Sequence, residues 1–397
     1  MNTVYRMALA VLLLEILLCG QIVSAATYYV ATNGNDTNPG TSGSPFLTIQ
    51  RCVNIVAAGD TCTVADGTYA DTDGNGVVVY TSTSSNGTAA QPITIKSTNP
   101  YGAVIILPGL NTGNAGFYIT KTYYIIDGFQ ITGGTSTGTS ASHNGILLTS
   151  LATGAVVRNN KIHGIGRSVC SNSVYGFDGV LNDGANSVTI ENNLIYGIGR
   201  LKNAESGCST TLVNNDHGIY VKGGDGLVVK RNVIYDTNRG WPIHFYGGTV
   251  TNASIYNNVL AGHNTTSSVA GQIMLASTIA NMAIKNNISY DATVGMIQYY
   301  GLAASGVSVT YNLSDTLEKI GSYAGVTFSN NLQGRSPGFV NAAGNDFHLS
   351  TGSAAIDAGT NVGLPFTGAA PDIGAYEFGS QDTQAPQAPK NVFVNYP

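Results

Sequence analysis

The stretch that decides the fold is VTIENNLI, residues 188–195, because close variants of it recur along the chain. The other copies are VVRNNKI (156–162), VVKRNVI (228–234), ASIYNNVL (253–260), MAIKNNIS (282–289), VTYNLS (309–314) and VTFSNNL (326–332). The marker Asn of each copy falls at 160, 193, 232, 258, 287, 312 and 331, so the spacing runs from 19 to 39 residues. Repeats of this length predict a solenoid in which each copy forms one coil.

Within each copy, apolar and polar residues alternate before the Asn, which is the periodicity of a strand. No copy has the 3.6-residue period of a helix, which disfavours helical repeats. Short strands joined by Gly and Asn turns predict an all-β parallel β-helix, whose coils stack about 4.8 Å apart. We expect the marker Asn side chains to hydrogen-bond in a ladder along the turns, where Asn also tolerates left-handed backbone.

The N-terminal residues 1–25 are predicted to be an export signal. Arg6 precedes an apolar run from Met7 to Leu18, and Val23-Ser24-Ala25 supplies a small-residue cleavage site. We therefore expect a secreted protein, located outside the cell, in a periplasm or at the cell surface. A β-helix domain is predicted for residues 26–379, followed by a Pro-, Gln- and Asn-rich tail at 380–397 that we expect to be disordered.

The two ends of the domain are predicted to close the solenoid. At the N-terminal end, about 26–70, Ser44-Pro45 has the signature of a helix start. Apolar residues then recur at helical spacing at Phe46, Ile49, Val53 and Val56. A short helix here would cover the edge and core of the first coil. Residues 336–379 are expected to form the closing segment.

Composition narrows the range of partners. The net charge is −5, with only 17 Lys and Arg residues in 397, which argues against a nucleic-acid partner because such a partner requires a basic patch. Beyond the export signal, no apolar stretch approaches the ~18 residues needed to span a bilayer. We expect a monomer whose partner is a polysaccharide, on grounds given below.

Removal of the signal leaves four cysteines, which an oxidising compartment would pair. Cys52 and Cys62 would join the predicted helix to the strand TCTV at 61–64. Cys170 and Cys208 each follow a GIGR sequence, at 164–167 and 197–200, in the two longest inter-repeat segments. These positions favour the pairs Cys52–Cys62 and Cys170–Cys208, with the second pair tying two long loops together at one corner of adjacent coils.

Both ends of the domain resemble secreted right-handed parallel β-helix proteins of the pectate-lyase-like superfamily. The similarity lies in YYVATNGNDTNPGTSGSPFLTIQRCVNIVAAGDTCTVADGTY (28–69), DFHLSTGSAAIDAGT (346–360) and PDIGAYEF (371–378). The resemblance implies a right-handed solenoid that acts on polysaccharides. It leaves the reaction open, because the superfamily holds lyases, hydrolases, epimerases and members without known activity, and fold alone does not fix function.

A second alignment uses the strand before each repeated phrase. HNGILLT (143–149), FDGVLND (177–183), DHGIYVK (216–222), GWPIHFY (240–246), AGQIMLA (270–276) and VGMIQYY (294–300) align without gaps. Their fourth position is always aliphatic, so it should point inward, and the flanking positions should point outward. The outward positions bring together Asp183, Lys222, Tyr220, His244 and Tyr246, beside the two long loops.

This cluster suits β-elimination on an acidic polysaccharide. The reaction needs a base for the proton beside the sugar carboxylate and a cation for the charge that develops there. Lys222 could act as base only when uncharged, and Asp183 one coil away favours the charged form. Tyr220 and His244 are therefore equal candidates for proton transfer, with Lys222 or Arg239 as the neutralising cation. An Asp183–Lys222 surface ion pair without catalytic function is the alternative.

Three other functions stay open. The sequence Tyr175-Gly176-Phe177-Asp178 is similar to the start of a motif in alginate C5-epimerases, but Gly179-Val180 depart from it. The alignment places His217 over Asp178, so an Asp178–His217 pair could orient an imidazole for acid–base work. Glycoside hydrolysis would need paired acids, for which Asp178, Asp183 and Asp216 are the close set. A binding or cell-surface protein without catalysis would use the same scaffold.

The remaining predicted contacts concern sugar and metal. We expect sugar rings to contact aromatic side chains at Trp241, Tyr246, Tyr300 and Tyr175. The sequence Asp71-Thr72-Asp73-Gly74-Asn75-Gly76 matches the first half of a calcium loop, with Asp71, Asp73 and Asn75 as the oxygen ligands. Ser82 stands where the closing Glu belongs, so a Gly-rich turn is the alternative to a calcium site.

Overall fold

Three parallel sheets run side by side along the molecule, and the chain passes through all three in each coil. The computed structural model describes residues 25–109, 114–133, 143–209, 214–262, 271–301 and 303–379. The export signal predicted for 1–25 lies outside these ranges apart from Ala25, and so does the predicted tail at 380–397. None of the helices in the described ranges is both long enough and apolar enough to cross a membrane.

Sheet A contains the strands of the repeated phrases. Its strands, in the order in which they pair, are Thr27–Val30, Thr61–Val64, Ile93–Ser97, Tyr124–Asp127, Val156–Arg158, Thr189–Glu191, Val228–Lys230, Ser254–Tyr256, Ala283–Lys285, Val307–Thr310 and Val326–Ser329.

Sheet B contains the strands of the second alignment. Its main strands are Val77–Tyr80, Asn114–Ile119, His143–Thr149, Phe177–Asp183, His217–Val221, Ile243–Thr251, Gly271–Ala280, Gly295–Tyr299 and Leu317–Lys319. Two short strands pair at its side, namely Gly224–Asp225 with Ile243–Thr251 and Ala303–Ser305 with Gly271–Ala280.

Sheet C follows the Asn turn. Its strands are Gly67–Tyr69, Ala103–Ile106, Gln130–Thr132, Lys161–His163, Leu194–Ile198, Val233–Thr237, Val259–Ala261, Ile288–Tyr290, Leu313–Ser314 and Leu332–Gln333. Short 3-10 turns lie at Glu205–Gly207 and Ala342–Gly344. The predicted parallel β-helix is therefore confirmed.

The Asn ladder is present between sheets A and C. From Asn160 to Asn331, each marker Asn donates from Nδ2 to the Oδ1 of the next, over 2.8 to 3.1 Å. The left-handed residue of each turn, however, is the one before the marker, as at Asn192 (φ 55°) and Asn257 (φ 52°). The marker side chain thus satisfies backbone groups that the turn leaves free.

The core lies inside the coils and follows the predicted alternation. The aliphatic column of the second alignment is fully buried, and pairing in sheet B brings its members into one row, namely Ile146, Val180, Ile219, Ile243, Ile273 and Ile297. Because side chains on either side of this column point the other way, the outward positions form the outer face of sheet B.

The N-terminal segment differs from its prediction. The helix is Ile49–Val53, with Thr48 as N-cap, so the predicted start at Ser44-Pro45 is wrong by four residues. Thr48 Oγ1 accepts from the Arg51 N–H, a cap that Ser44 does not make. Ile49, Cys52 and Val53 are buried against the first strands of sheets A and B. That this short helix closes the solenoid stays a prediction.

Two disulfides and a closing segment connect the ends and the long loops to the sheets. Cys52 is bonded to Cys62, and Cys170 to Cys208, as predicted. In the closing segment, Phe339–Asn341 pairs antiparallel with Asp346–Leu349, and apolar side chains from this segment pack against sheet C. The closing segment thereby covers the outer side of sheet C from Leu194–Ile198 to Leu313–Ser314.

Candidate functional site

A groove of about 610 Å³ lies on the outer face of sheet B, across the strands from Phe177–Asp183 to Gly295–Tyr299. Its floor and walls are rich in aromatic side chains. The lining residues are Val174, Tyr175, Gly176, Asp178, Leu181, Asn214, Asn215, His217, Tyr220, Lys222, Trp241, His244, Tyr246, Met274, Ala276, Gln298, Tyr299 and Tyr300. Most of the predicted site residues thus line one cavity.

Strand register places the predicted residues as the alignment required. Tyr220 pairs with His244, and His244 with Met274, which makes one outward row along the groove floor. In the neighbouring row, Lys222 Nζ lies 2.9 Å from Asp183 Oδ1, and the two side chains are 43% and 45% exposed. Asp183 does not line the groove itself. Its carboxylate is connected to the groove through the ion pair with Lys222.

His217 and His244 form a hydrogen-bonded pair at the centre of the groove. His217 Nε2 lies 2.9 Å from His244 Nδ1, and the Trp241 backbone N–H donates to His217 Nδ1 over 3.3 Å. Since His217 accepts at Nδ1, its neutral ring carries the proton on Nε2 and donates it to His244. His244 must then carry its own proton on Nε2.

Burial keeps both imidazoles neutral. It lowers the pKa of His244 to about 3, and together with the neighbouring His244 it holds the pKa of His217 well below its usual range. A neutral His244 whose Nδ1 is already occupied can donate a hydrogen bond from Nε2 but has no free lone pair for a proton. His244 is therefore suited to binding a sugar oxygen and unsuited to the role of base.

The predicted Asp178–His217 pair exists, but its contact differs from the prediction. Asp178 Oδ1 accepts from the backbone N–H of His217 over 3.0 Å, and the His217 ring is oriented by Trp241 and His244 instead. Burial, with the Asp216 carboxylate nearby, raises the pKa of Asp178 well above its usual range. The prediction that Asp178 orients the imidazole is therefore wrong. Asp178 and His217 are partners in neighbouring strands, and this register brings the Asp178 carboxylate to the His217 backbone N–H instead of to its ring.

The position of the Arg239 side chain also differs from its prediction. Its side chain is fully buried, and its guanidinium donates to the Ser171 carbonyl over 2.6 Å. The guanidinium faces the loop that carries Cys170 and is not part of the groove lining. Arg239 therefore anchors the loop and cannot neutralise a substrate carboxylate in the groove.

Arg200 is a residue that sequence reasoning missed. It forms a fully buried ion pair with Asp216, 2.8 Å from Nη2 to Oδ1, and donates to the Ser173 carbonyl over 2.7 Å. Asp216 is therefore already engaged by Arg200, and it is not among the residues that line the groove. The repeated GIGR sequence is the signal that could have identified Arg200, since its arginine recurs at the base of both long loops.

These contacts fix the loop that walls the groove. The disulfide Cys170–Cys208, Arg200 at Ser173 and Arg239 at Ser171 all hold the segment that ends in Tyr175. In the segment before strand Ile243–Thr251, a Cβ at Gly240 would collide with the Asp216 carbonyl and with His217 Nδ1. Glycine is thus required where the chain passes closest to the His pair.

The predicted sugar contacts divide into exposed and buried rings. Tyr175, Tyr246 and Tyr300 are exposed at the groove, as sugar stacking requires. Trp241 is only 5% exposed, packs with Met274 and Ala276, and donates from Nε1 to Gln298 Oε1 over 2.8 Å. Most of the Trp241 ring is therefore covered by protein, and only its remaining surface lines the groove, so its contact with sugar stays a prediction.

The side chains of the loop at 71–76 are held by the loop's own backbone, and the calcium site there stays a prediction. Asp71 accepts from the backbone N–H groups of Asp73, Gly74 and Gly76, and Asp73 accepts from Asn75. These oxygens therefore already bind the loop's own N–H groups, as in an Asx turn. Within the described ranges, no group of three or more His, Cys, Asp or Glu side chains is arranged to hold a metal ion.

Known proteins support the fold. Residues 28–169 match a family model described as the Pel9A-like right-handed β-helix region. The structure of pectate lyase Pel9A aligns over 90% of this chain and 97% of its own, with a TM-score of 0.54 and 19% identity. A rhamnogalacturonan lyase aligns over 82% and 94%, with a TM-score of 0.42 and 18% identity.

A sequence relative gives no functional information. The uncharacterized protein YwoF of Bacillus subtilis (strain 168) is 26% identical over 66% of this chain and 68% of its own length. Together, the family model and the Pel9A structure confirm the predicted resemblance at the level of fold, including its right-handed coil.

Proposed function

We propose that this right-handed β-helix protein acts on polysaccharides, and that it cleaves an acidic polysaccharide by β-elimination in the groove of sheet B. The observation that carries the proposal is the groove itself, because exposed tyrosines line it together with Lys222 and with the donor row of Tyr220 and His244. The similarity to the pectate lyase Pel9A is in keeping with this class of substrate.

Lys222 is assigned the neutralising role. Its ammonium nitrogen lies 2.9 Å from Asp183 Oδ1, and Lys222 lines the groove. A charged ammonium at the groove can bind the substrate carboxylate and stabilise the negative charge that develops there in the transition state. His244 Nε2–H would supply a second, neutral donor to the same group.

Tyr220 is assigned the proton transfer. Lys222 is in an ion pair, and the Nδ1 atom of His244 is already in a hydrogen bond with His217. Of the three side chains that the sequence suggested for proton transfer, the Tyr220 hydroxyl is therefore the one that can exchange a proton. As tyrosinate it would take the proton from the carbon beside the carboxylate, and that C–H electron pair would form the C=C bond. The departing glycosidic oxygen would then receive the proton from Tyr220.

Binding without cleavage is the second candidate, and two contacts favour it. Asp183 offsets the charge of Lys222, and burial raises the pKa of Tyr220 well above its usual range. A site built in this way could hold a sugar chain by stacking and hydrogen bonds alone. Hydrolysis and C5-epimerisation are less well supported, because Asp216 is occupied by Arg200 and Asp178 does not contact the imidazole of His217.

One panel distinguishes β-elimination and hydrolysis from binding without cleavage. The purified protein is incubated with polygalacturonate, alginate and glycosaminoglycans, with and without EDTA, while ultraviolet absorbance and reducing ends are followed together. β-Elimination raises both signals, whereas hydrolysis raises only reducing ends and binding alone raises neither. We expect both signals to rise on at least one acidic polymer. A protein that binds a polymer and raises neither signal would contradict the proposed cleavage.

Lys222 has a matched control on another sheet. Lys230 forms an ion pair of 2.8 Å with Glu191 on sheet A, away from the groove. We expect Lys222→Ala to lower kcat/KM roughly a hundredfold, and Lys230→Ala to leave it unchanged. Equal effects of the two substitutions would remove Lys222 from the site.

A further inference from the structure

The outward row of the groove floor continues beyond the groove towards the N-terminus. From Tyr220, strand pairing in sheet B leads to Leu181, then Leu147, then Tyr118 and finally Tyr80. Each step crosses one coil, so the four residues beyond Tyr220 extend the row by about 19 Å at about 4.8 Å per coil. Three of the four lie outside the groove lining.

The far end of this row is a stacked pair of tyrosines. The rings of Tyr80 and Tyr118 lie 4.8 Å apart with 24° between their planes, and both side chains are partly exposed. The strand of Tyr80 is fixed from the N-terminal helix, because Gln50 accepts from the Tyr80 N–H over 2.7 Å and donates to its carbonyl over 2.8 Å. The pair is therefore held in place before any ligand arrives.

The chemistry of the row selects its ligand. Tyr80, Tyr118, Leu147 and Leu181 carry no charge, and aromatic or aliphatic side chains contact the apolar faces of sugar rings. Their spacing of one residue per coil is close to the length of one sugar unit in an extended polysaccharide chain. A chain that leaves the groove along the axis of the solenoid would therefore meet one of these side chains at about every sugar.

We propose that Tyr118 and Tyr80 form a remote subsite for the same polysaccharide chain that occupies the groove. This inference rests on the proposed function, because it extends the same binding surface. It predicts a preference for long chains. A tetrasaccharide can fill only the groove, whereas a dodecasaccharide bound in the groove also reaches the tyrosine pair.

The test compares affinities for two chain lengths. Tetrasaccharides and dodecasaccharides of polygalacturonate, alginate and hyaluronan are titrated by calorimetry into wild type, Tyr80→Ala, Tyr118→Ala and the two Tyr→Phe variants. We expect each Ala variant to lower the ratio of dodecasaccharide to tetrasaccharide affinity roughly fivefold, as loss of one stacked ring implies. The Phe variants keep the ring and should keep the wild-type ratio.

Tyr256, a partly buried tyrosine of sheet A, provides the control. Tyr256→Ala should not alter the ratio, and thermal unfolding of each variant verifies that it folds. An unchanged ratio in both Tyr80→Ala and Tyr118→Ala would overturn the subsite and would leave a cross-strand pair that only stabilises the sheet. A wild-type protein that binds none of the oligosaccharides would instead overturn the proposed function itself, and the subsite with it.

Discussion

At the scale of single residues, the His217–His244 pair links the groove to the stability of the fold. The pKa of His244 is lowered to about 3 by burial, while an unfolded chain would have its ordinary value near 6.5. A lowered pKa stabilises the fold above pH 6.5, and this contribution is lost as the pH falls towards 3. The centre of the groove should therefore be sensitive to acid.

We expect this imidazole to account for a loss on the order of 3 kcal/mol in the free energy of unfolding between pH 6.5 and pH 4. The variant His244→Gln keeps an acceptor for His217 but cannot titrate, so its stability should fall less over the same range. Urea unfolding at a series of pH values measures both slopes. Parallel slopes for the two proteins would contradict the assignment.

Tyr220 leads to a second pH prediction. Burial, with Asp178 nearby, raises the pKa of its hydroxyl well above the usual value near 10. Because the base is the tyrosinate, its fraction and the cleavage rate should rise about tenfold per pH unit from pH 7 to pH 9. The rate should show no plateau below pH 10, and Tyr220→Phe should abolish cleavage.

Initial rates by absorbance at each pH provide the measurement, with Tyr256→Phe on sheet A as the control. A plateau near neutral pH would assign the base to another group.

The sequence predicted which residues share the groove but not what each contacts. Alternation and repeat alignment suffice to place Tyr220, Lys222 and His244 on one face, because strand geometry fixes the direction of a side chain. They cannot show that Arg239 turns to the Ser171 carbonyl of a folded-back loop or that Trp241 packs against Met274 and Ala276. Strand geometry therefore gives the direction of a side chain but not the contacts that it makes.

At the scale of elements, the Asn ladder holds sheet A to sheet C. Asn232 is fully buried, donates to the Ile190 carbonyl and to Asn258, and accepts from Asn193. Its removal would leave several buried polar groups without partners, each costing about 1–3 kcal/mol. Each turn thus depends on its marker Asn for the pairing of these buried groups.

We expect Asn232→Ala to lower the free energy of unfolding by about 4 kcal/mol. Asn331 is the ladder member nearest the C-terminus and is only partly buried, so Asn331→Ala should cost less than half as much. Urea unfolding of the two variants provides the comparison. Equal losses would show that burial of the ladder has little energetic weight.

The loop at 71–76 gives a prediction about metal removal. Because Asp71 binds three N–H groups of its own loop, Asp71→Ala should destabilise the protein by about 2 kcal/mol through loss of the turn. The loss should be the same with calcium and with EDTA. Thermal unfolding in both buffers measures it, and wild-type stabilisation by calcium that disappears in Asp71→Ala would restore the predicted calcium loop.

At the scale of the whole molecule, the outer faces of sheets B and C differ in what packs on them. The closing segment packs against sheet C, whereas sheet B carries the groove and the row that leads from it to Tyr80. The repeat period and the marker Asn residues predicted the coil, because each coil packs against its neighbours with similar residues at equivalent positions. The N-terminal helix occurs only once, so no repeat could correct its predicted start.

The central claim is that a polysaccharide lies in the groove of sheet B, and a crystal structure with a bound oligosaccharide tests it most directly. We predict sugar density along Tyr220 and His244, with a sugar oxygen within hydrogen-bond distance of Lys222 Nζ. A smaller cavity of about 260 Å³, lined in part by Asp236 and Asp291, lies beside sheet C. Sugar bound there, with the groove of sheet B empty, would contradict the account.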